Sequence, residues 1–260
     1  MKRRGVLIWQ LTLAVILLAG WEWGAAANVL DRFFFSRPSD VALRVANWIL
    51  SGSIWRHLLT TFTEAALSFA IGTCLGVVLG FWLGRTPTLA AILDPYIRIA
   101  NALPRVVLAP IFLLWFGLGI WSKVALGVTV VFFVVFFNTY RGVREADPAI
   151  IDNVRMLGAS ESQLIRHVLI PSALSWIFSS LHVSIGLAIV AVVVGEYLGA
   201  ASGIGYLISQ AEGAFDTTGV FAGMTVLAAG VLAVGGVVNR MERRLLRWKQ
   251  GRADSSQEFA

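Results

Sequence analysis

Residues 145–173 read EADPAIIDNVRMLGASESQLIRHVLIPSA, a polar stretch set between two runs apolar enough to cross a membrane. Asp147 can cap a first helix, and Pro148 suits its first turn, where the amide that proline lacks has no partner anyway. Ile151, Val154 and Leu157 recur at three-residue spacing and predict one apolar stripe. Gly158 permits the left-handed backbone that ends a helix. Ser160, with Gln163 three residues on, forms a capping box for a second helix, whose apolar face is Leu164, Ile165, Val168 and Leu169. Pro171 is expected to separate that helix from the apolar run that follows. Two such helices in one loop of a membrane protein either lie on the bilayer as an interfacial hairpin or form a docking surface for a partner on one side of it.

The membrane assignment rests on composition. Of the 260 residues, 57% are hydrophobic and 14% charged, and the mean hydropathy is +0.76. A water-soluble domain of this size needs far more charge to cover its surface. The one cysteine, Cys74, falls in an apolar run, so no disulfide forms within the chain. The net charge of +6 lies where a membrane protein needs it rather than on a soluble basic face, which argues against nucleic-acid binding.

A spanning helix needs about 20 apolar residues. Val6 to Ala27, Ala65 to Leu83, Leu174 to Gly195 and Gly219 to Asn239 meet that length. Ala100 to Tyr140 is too long for one crossing and carries turn residues at Gly117 to Lys123, so it reads as two helices and a tight hairpin. The expectation is an all-α integral membrane protein of six spans, with the polar loop between the fourth and fifth. In chain order these are an amino-terminal helix over 1–28, an outer loop over 29–62, a transmembrane domain over 63–240 with the loop at 142–173, and a basic tail over 241–260.

The opening MKRRGVLIWQLTLAVILLAG is read as a retained helix rather than a cleaved signal, because its apolar run is long and Trp21 and Trp23 sit where an interfacial belt would anchor it. With that terminus inside, the inner segments hold 15 Lys and Arg residues, against Arg32, Arg37, Arg44, Arg56 and Lys123 outside, with Arg105 at the start of the third span. Both termini and the 142–173 loop are therefore expected to be cytoplasmic. Part of the outer segment Leu30 to His57 is expected to form an amphipathic helix.

At the loop the chain resembles the permease subunits of binding-protein-dependent ABC importers. Their cytoplasmic motif runs EAA, three residues, Gly, nine residues, Ile-x-Leu-Pro. Here Asp152-Asn153-Val154, Gly158 and Val168-Leu169-Ile170-Pro171 fall at those spacings, with Asp152 in place of glutamate and Asn153 and Val154 in place of the alanines. The likeness extends over Pro38 to Asn239 and is greatest to the nitrate, sulfonate and taurine branch. It is carried by PRVVLAPIFLLWFGLGIWSK at 104–123, NTYRGV at 138–143, and GEYLG at 195–199 with Gly203-Ile204-Gly205.

The resemblance implies the type I importer permease fold in a multi-pass protein of the bacterial inner membrane. It implies a second permease copy, a cytoplasmic ATPase dimer that uses ATP and Mg, and an extracytoplasmic solute-binding protein. The ATPase would grip Asp152, Arg155, Gly158, Ala159, Ser160 and Pro171. The cargo would be a small solute such as an alkanesulfonate, taurine or nitrate. No cofactor, metal site or catalytic residue is expected in this chain, which has no phosphate-cradling GxxxxGK[ST] loop. An integral membrane enzyme would need convergent catalytic groups at one depth, and Glu64, His182 and Glu196 form no obvious set. An ATP-independent carrier or channel is the alternative.

Three further features invite a role. Gly72, Gly76, Gly80 and Gly84 fall on one helical face and let another helix approach closely, for packing within the chain or at a pathway or dimer seam. Glu196 lies near a span end, where a carboxylate faces protein or water. It is either a structural hydrogen-bond partner or a gate, with Gly199 and Gly203 beside it. His182, near Ser179, Ser180 and Ser184, reads more readily as a packing residue than as a substrate contact.

Overall fold

The structure, a computed structural model, describes residues 3–245, and every regular element among them is helical. Most of the basic tail expected over 241–260 lies outside the described residues. In order the helices are α1 (Arg3–Ala26), α2 (Arg32–Phe35), α3 (Pro38–Leu50), α4 (Ser53–Arg85), α5 (Pro87–Ala102), α6 (Arg105–Phe116), α7 (Ile120–Arg144), α8 (Pro148–Met156), α9 (Glu161–Leu164), α10 (Ile170–Leu198), α11 (Ile204–Gly213) and α12 (Thr217–Leu245). Among the described residues five continuous helical stretches are long and apolar enough to cross a membrane, and a sixth crossing exists if α5 and α6, bent by 88°, count as one.

That bend corrects the third span, expected as a single helix beginning near Ala100. Leu103 precedes Pro104, and the proline ring disfavours helical backbone at the residue before it. Leu103 accordingly adopts φ −63° and ψ 130°, and the chain restarts at Arg105. Neither half reaches about 20 residues.

Residues 29–62, expected as an outer loop, are largely helical as well. Asp31 caps α2 by accepting from the Phe33 amide, and Pro38 opens α3 at a position where its missing amide costs nothing. The second span starts at Ser53 rather than Ala65, giving α4 33 residues, or about 50 Å at 1.5 Å per residue.

Residues 3–61 with 196–228 form one compact unit. In it Ile54, Ile204 and Val226 are buried, with Val45, Trp48 and Leu207 packed around them. Among the polar ties that hold its distant parts, Glu22 accepts from the Ser39 amide and hydroxyl, and Arg44 pairs with Asp216 at 2.5 Å.

Residues 62–195 with 229–245 form the second unit. Its core is the seam between α4 and α7, where Val131 and Val135 are buried with Ala188 of α10. The four glycines at 72, 76, 80 and 84 make the seam possible. A Cβ on any of them would come within 2.6–2.9 Å of α7 atoms, and at Gly80 the nearest is the Phe136 carbonyl oxygen at 2.6 Å. Within this unit the face is therefore filled by α7 of the same chain. Lys123, counted among the outer charges, is 1% exposed, and its Nζ donates to the Leu118 and Gly119 carbonyls of the turn before α7.

Candidate functional site

The loop between α7 and α10 is assembled from local signals. Asp147 accepts from the Ala149 amide and caps α8, with Pro148 in its first turn. At the other end Gly158 takes φ +81°. Its amide donates to Arg155 O and the Ala159 amide to Val154 O, the paired bonds of a Schellman turn. Ser160 follows at once and forms the reciprocal capping box with Gln163, the Ser160 amide donating to Gln163 Oε1 at 2.8 Å and the Gln163 amide to Ser160 Oγ at 3.3 Å. A Schellman turn followed directly by a capping box satisfies the amides of Gly158, Ala159, Ser160 and Gln163 as the chain turns, so the corner is stiff.

The buried face of the loop holds Leu164 and Leu169, while Ile151 and Val154 are half-covered. Leu157, expected in that stripe, instead points outward and is 86% exposed, because it is the residue that caps α8 and has left helical register. With Met156, 78% exposed, it makes an apolar tip beside Asp152 and Arg155. Glu161 bridges the corner to the end of α4, accepting from Arg155 and Arg85 at 3.4 Å each.

Pro171 does not separate the second helix from the span. It lies in the first turn of α10, reached through a π-helical turn at Ile165–Leu169 in which the Ile170 amide donates to Ile165 O, five residues back. The wider turn moves the preceding carbonyls off the line that the proline ring would otherwise strike. The structure thus gathers Asp152, Arg155, Gly158, Ala159 and Ser160 at one corner and leaves Pro171 beyond a further turn of helix.

A second polar arrangement lies in the other unit. Glu196 is 1% exposed. Its Oε1 accepts from the Thr61 hydroxyl at 2.6 Å and its Oε2 from the Gly205 amide at 2.8 Å. Thr61 also accepts from the Ile204 amide at 2.8 Å, and His57 Nδ1 from the Gly203 amide at 3.1 Å. The carboxylate occupies the space where a side chain on Gly203 would be, and Gly203 has φ +119°. Glu196 and Gly203 therefore belong to one cluster, and Gly199 follows the end of α10. His182 lies exposed on α10, about 21 Å from Glu196 along the helix at 1.5 Å per residue, so the two do not share a site. Thr61 was not singled out from the sequence, and nothing near it signals a partner 135 residues away. Among the described residues no group of three or more His, Cys, Asp or Glu could hold a metal ion.

The chain has relatives. Residues 72–247 match the family described as the inner membrane component of binding-protein-dependent transport systems. The permease protein SsuC of Bacillus subtilis (strain 168), named for aliphatic sulfonates transport, is 32% identical over 92% of this chain and 87% of its own length. The riboflavin transport system permease protein RibX of Chloroflexus aurantiacus is 32% identical over 90% of this chain and 88% of its own. The taurine transport system permease protein TauC of Escherichia coli (strain K12) is 29% identical over 95% and 94%. In fold, an inward-facing structure of the MetNI methionine ABC transporter superposes with a TM-score of 0.59 at 20% identity, over 76% of this chain and 96% of that one. With a family match that spans more than half of its length and relatives above 30% identity over nearly all of it, the chain belongs to the inner membrane components of binding-protein-dependent ABC importers, a family of multi-span permeases that are not themselves enzymes.

Proposed function

We propose that the chain forms the translocation pathway of an ATP-driven importer for a small organic anion, with an alkanesulfonate or taurine as the cargo class. The observation that carries the mechanism is the corner at Gly158: a stiff turn that presents Leu157, Met156, Asp152 and Arg155 outward. An apolar tip ringed by charges is the composition of a docking surface. The partner is a pair of cytoplasmic ATPase subunits using ATP and Mg, each gripping one such loop. Closure of the ATPase pair pulls two permease copies towards the state that accepts cargo from an extracytoplasmic binding protein. Both termini and the loop lie on the cytoplasmic side, as the Lys and Arg distribution favours.

The cargo class is supported by the names of SsuC and TauC, while RibX shows that relatives of equal identity serve other solutes. Glu196, Gly199 and Gly203 form a gate at one end of the pathway, and His182 is a second pathway position. The test is purification of the tagged chain from mild detergent with and without Gly158→Asp. The expected result is an ATPase that co-purifies with the parent and is lost from the variant while membrane insertion is kept. Intact permease with no ATPase in either preparation overturns the reading in favour of an ATP-independent carrier or channel.

A further inference from the structure

The 88° bend between α5 and α6 opens a cavity of about 890 Å³ against α7. Its charged lining is uneven: Arg98, Arg105 and Arg141 against Asp94. Asp94 is engaged by Arg98 at 2.7 Å. Among the described residues neither Arg105 nor Arg141 is in an ion pair.

Arg105 is held in place without being neutralised. It is half-buried, and its terminal nitrogens donate to the Asn101 carbonyl, to Leu103 O at 2.6 Å and to Asn101 Oδ1 at 2.7 Å. The guanidinium sits over the Phe133 ring, 4.9 Å from its centre. All of these partners are neutral. Phe133, over which that guanidinium sits, lies about 12 Å along α7 from Arg141 at 1.5 Å per residue, within a helix long and apolar enough to cross a membrane. A guanidinium carried to that depth is costly unless it meets water or a counter-charge. Beside it Phe133, Phe137 and Val134 give an apolar wall, and Asn138 adds an amide.

We infer that this cavity is an anion site on the transport route, taking a small organic anion with a compact oxyanion head and a short apolar body. The head meets the Arg105 guanidinium, which can offer two N–H groups to two oxygens, and the body lies against Phe133 and Phe137. Arg141 extends the positive lining towards the end of α7. The inference rests on the permease function proposed above and deepens it by placing the cargo. An anionic lipid headgroup shares the same chemistry, so the experiment separates the two sources.

The permease–ATPase complex carrying Cys74→Ser and Val134→Cys is placed in phosphatidylcholine nanodiscs, and maleimide alkylation at position 134 is timed with added butane-1-sulfonate. The sulfonate is expected to slow alkylation, while butylammonium does not. Arg105→Gln should raise the half-protecting concentration about tenfold or more, and Arg105→Lys should restore only part of it, having the charge but not the fork. Should Arg105→Gln fail to assemble, Arg141→Gln, at an exposed position, should weaken protection in the same direction.

No protection by the sulfonate, or equal protection with and without Arg105, overturns the site. Slowing by phosphatidylglycerol in the disc with no sulfonate effect assigns the cavity to lipid and also overturns it. Sulfonate uptake is measured in parallel with the complex and its binding protein in liposomes. Arg105-dependent protection without uptake by the parent complex supports the anion site and removes the sulfonate cargo. Parent uptake that is unchanged by Arg105→Gln removes the site and leaves the importer.

Discussion

The Thr61 hydroxyl donates to Glu196 Oε1 at 2.6 Å and accepts from the Ile204 amide at 2.8 Å, so one side chain of α4 fixes both the carboxylate near the end of α10 and the first residue of α11. Thr61→Val leaves the Ile204 amide without its acceptor, and Glu196→Ala does the same to the Gly205 amide. Each should destabilise the detergent-solubilised chain by about 1–3 kcal/mol, read as a lower thermal midpoint. Because both changes break one network, the double variant should fall short of the sum of the single losses by about 0.5–3 kcal/mol. Strict additivity would show that the two groups do not act together.

Gly203→Ala should be worse than its size suggests. The position needs φ +119°, and the Cβ would enter the space held by the Glu196 carboxylate. The backbone alone costs about 1–3 kcal/mol in that glycine-only region, and displacing the carboxylate adds the loss of its hydrogen bonds. Gly186→Ala on α10 is the control, since nothing beyond the backbone of its own helical turns lies within 4 Å of its Cβ position. It should gain about 0.5–1 kcal/mol from helix propensity. Equal thermal midpoints for the two variants would remove the steric argument.

On the α4–α7 seam, Gly80→Ala should cost more than Gly84→Ala. At Gly80 the new methyl meets the Phe136 carbonyl at 2.6 Å, which can retreat only if the helix moves, whereas at Gly84 its nearest neighbours are side-chain atoms of Val143 at 2.8 and 2.9 Å. Overpacking of this kind costs about 1–3 kcal/mol, with Gly80 at the upper end. Folded yield after size exclusion in detergent gives the order, and a larger loss at Gly84 would reverse the reading.

What the sequence made legible follows the range of the interactions. The loop corner was readable residue by residue, because Asp147, Pro148, Gly158, Ser160 and Gln163 act within a few positions of one another. The four-residue glycine repeat announced a close approach but not its partner, which only tertiary contact supplies. Leu103-Pro104 carried the break in the third span in plain view, and the continuous apolar run around it hid the break. The pairing of Thr61 with Glu196 and the lining shared by Arg105 and Arg141 left no local trace, since each joins residues on different helices.

Pro171→Ala tests whether the π-helical turn sets the docking angle. The turn at Ile165–Leu169 holds one residue more than an α-helical path would, with the Ile170 amide bonded five residues back. Removing the proline restores an amide and relieves the ring, so the stretch can relax to α-helix. That change rotates everything before it by about 100° and shifts it by about 1.5 Å relative to α10. The tip at Met156 and Leu157 would then face away from its partner, while the apolar surface of the spans is untouched. Membrane insertion and expression should hold, and ATP-dependent uptake should fall about tenfold, the equivalent of about 1.4 kcal/mol of misaligned docking. Uptake at the parental rate would mean that the loop angle is set by contacts at the corner itself, with Arg85 and Arg155 on Glu161 the first to examine.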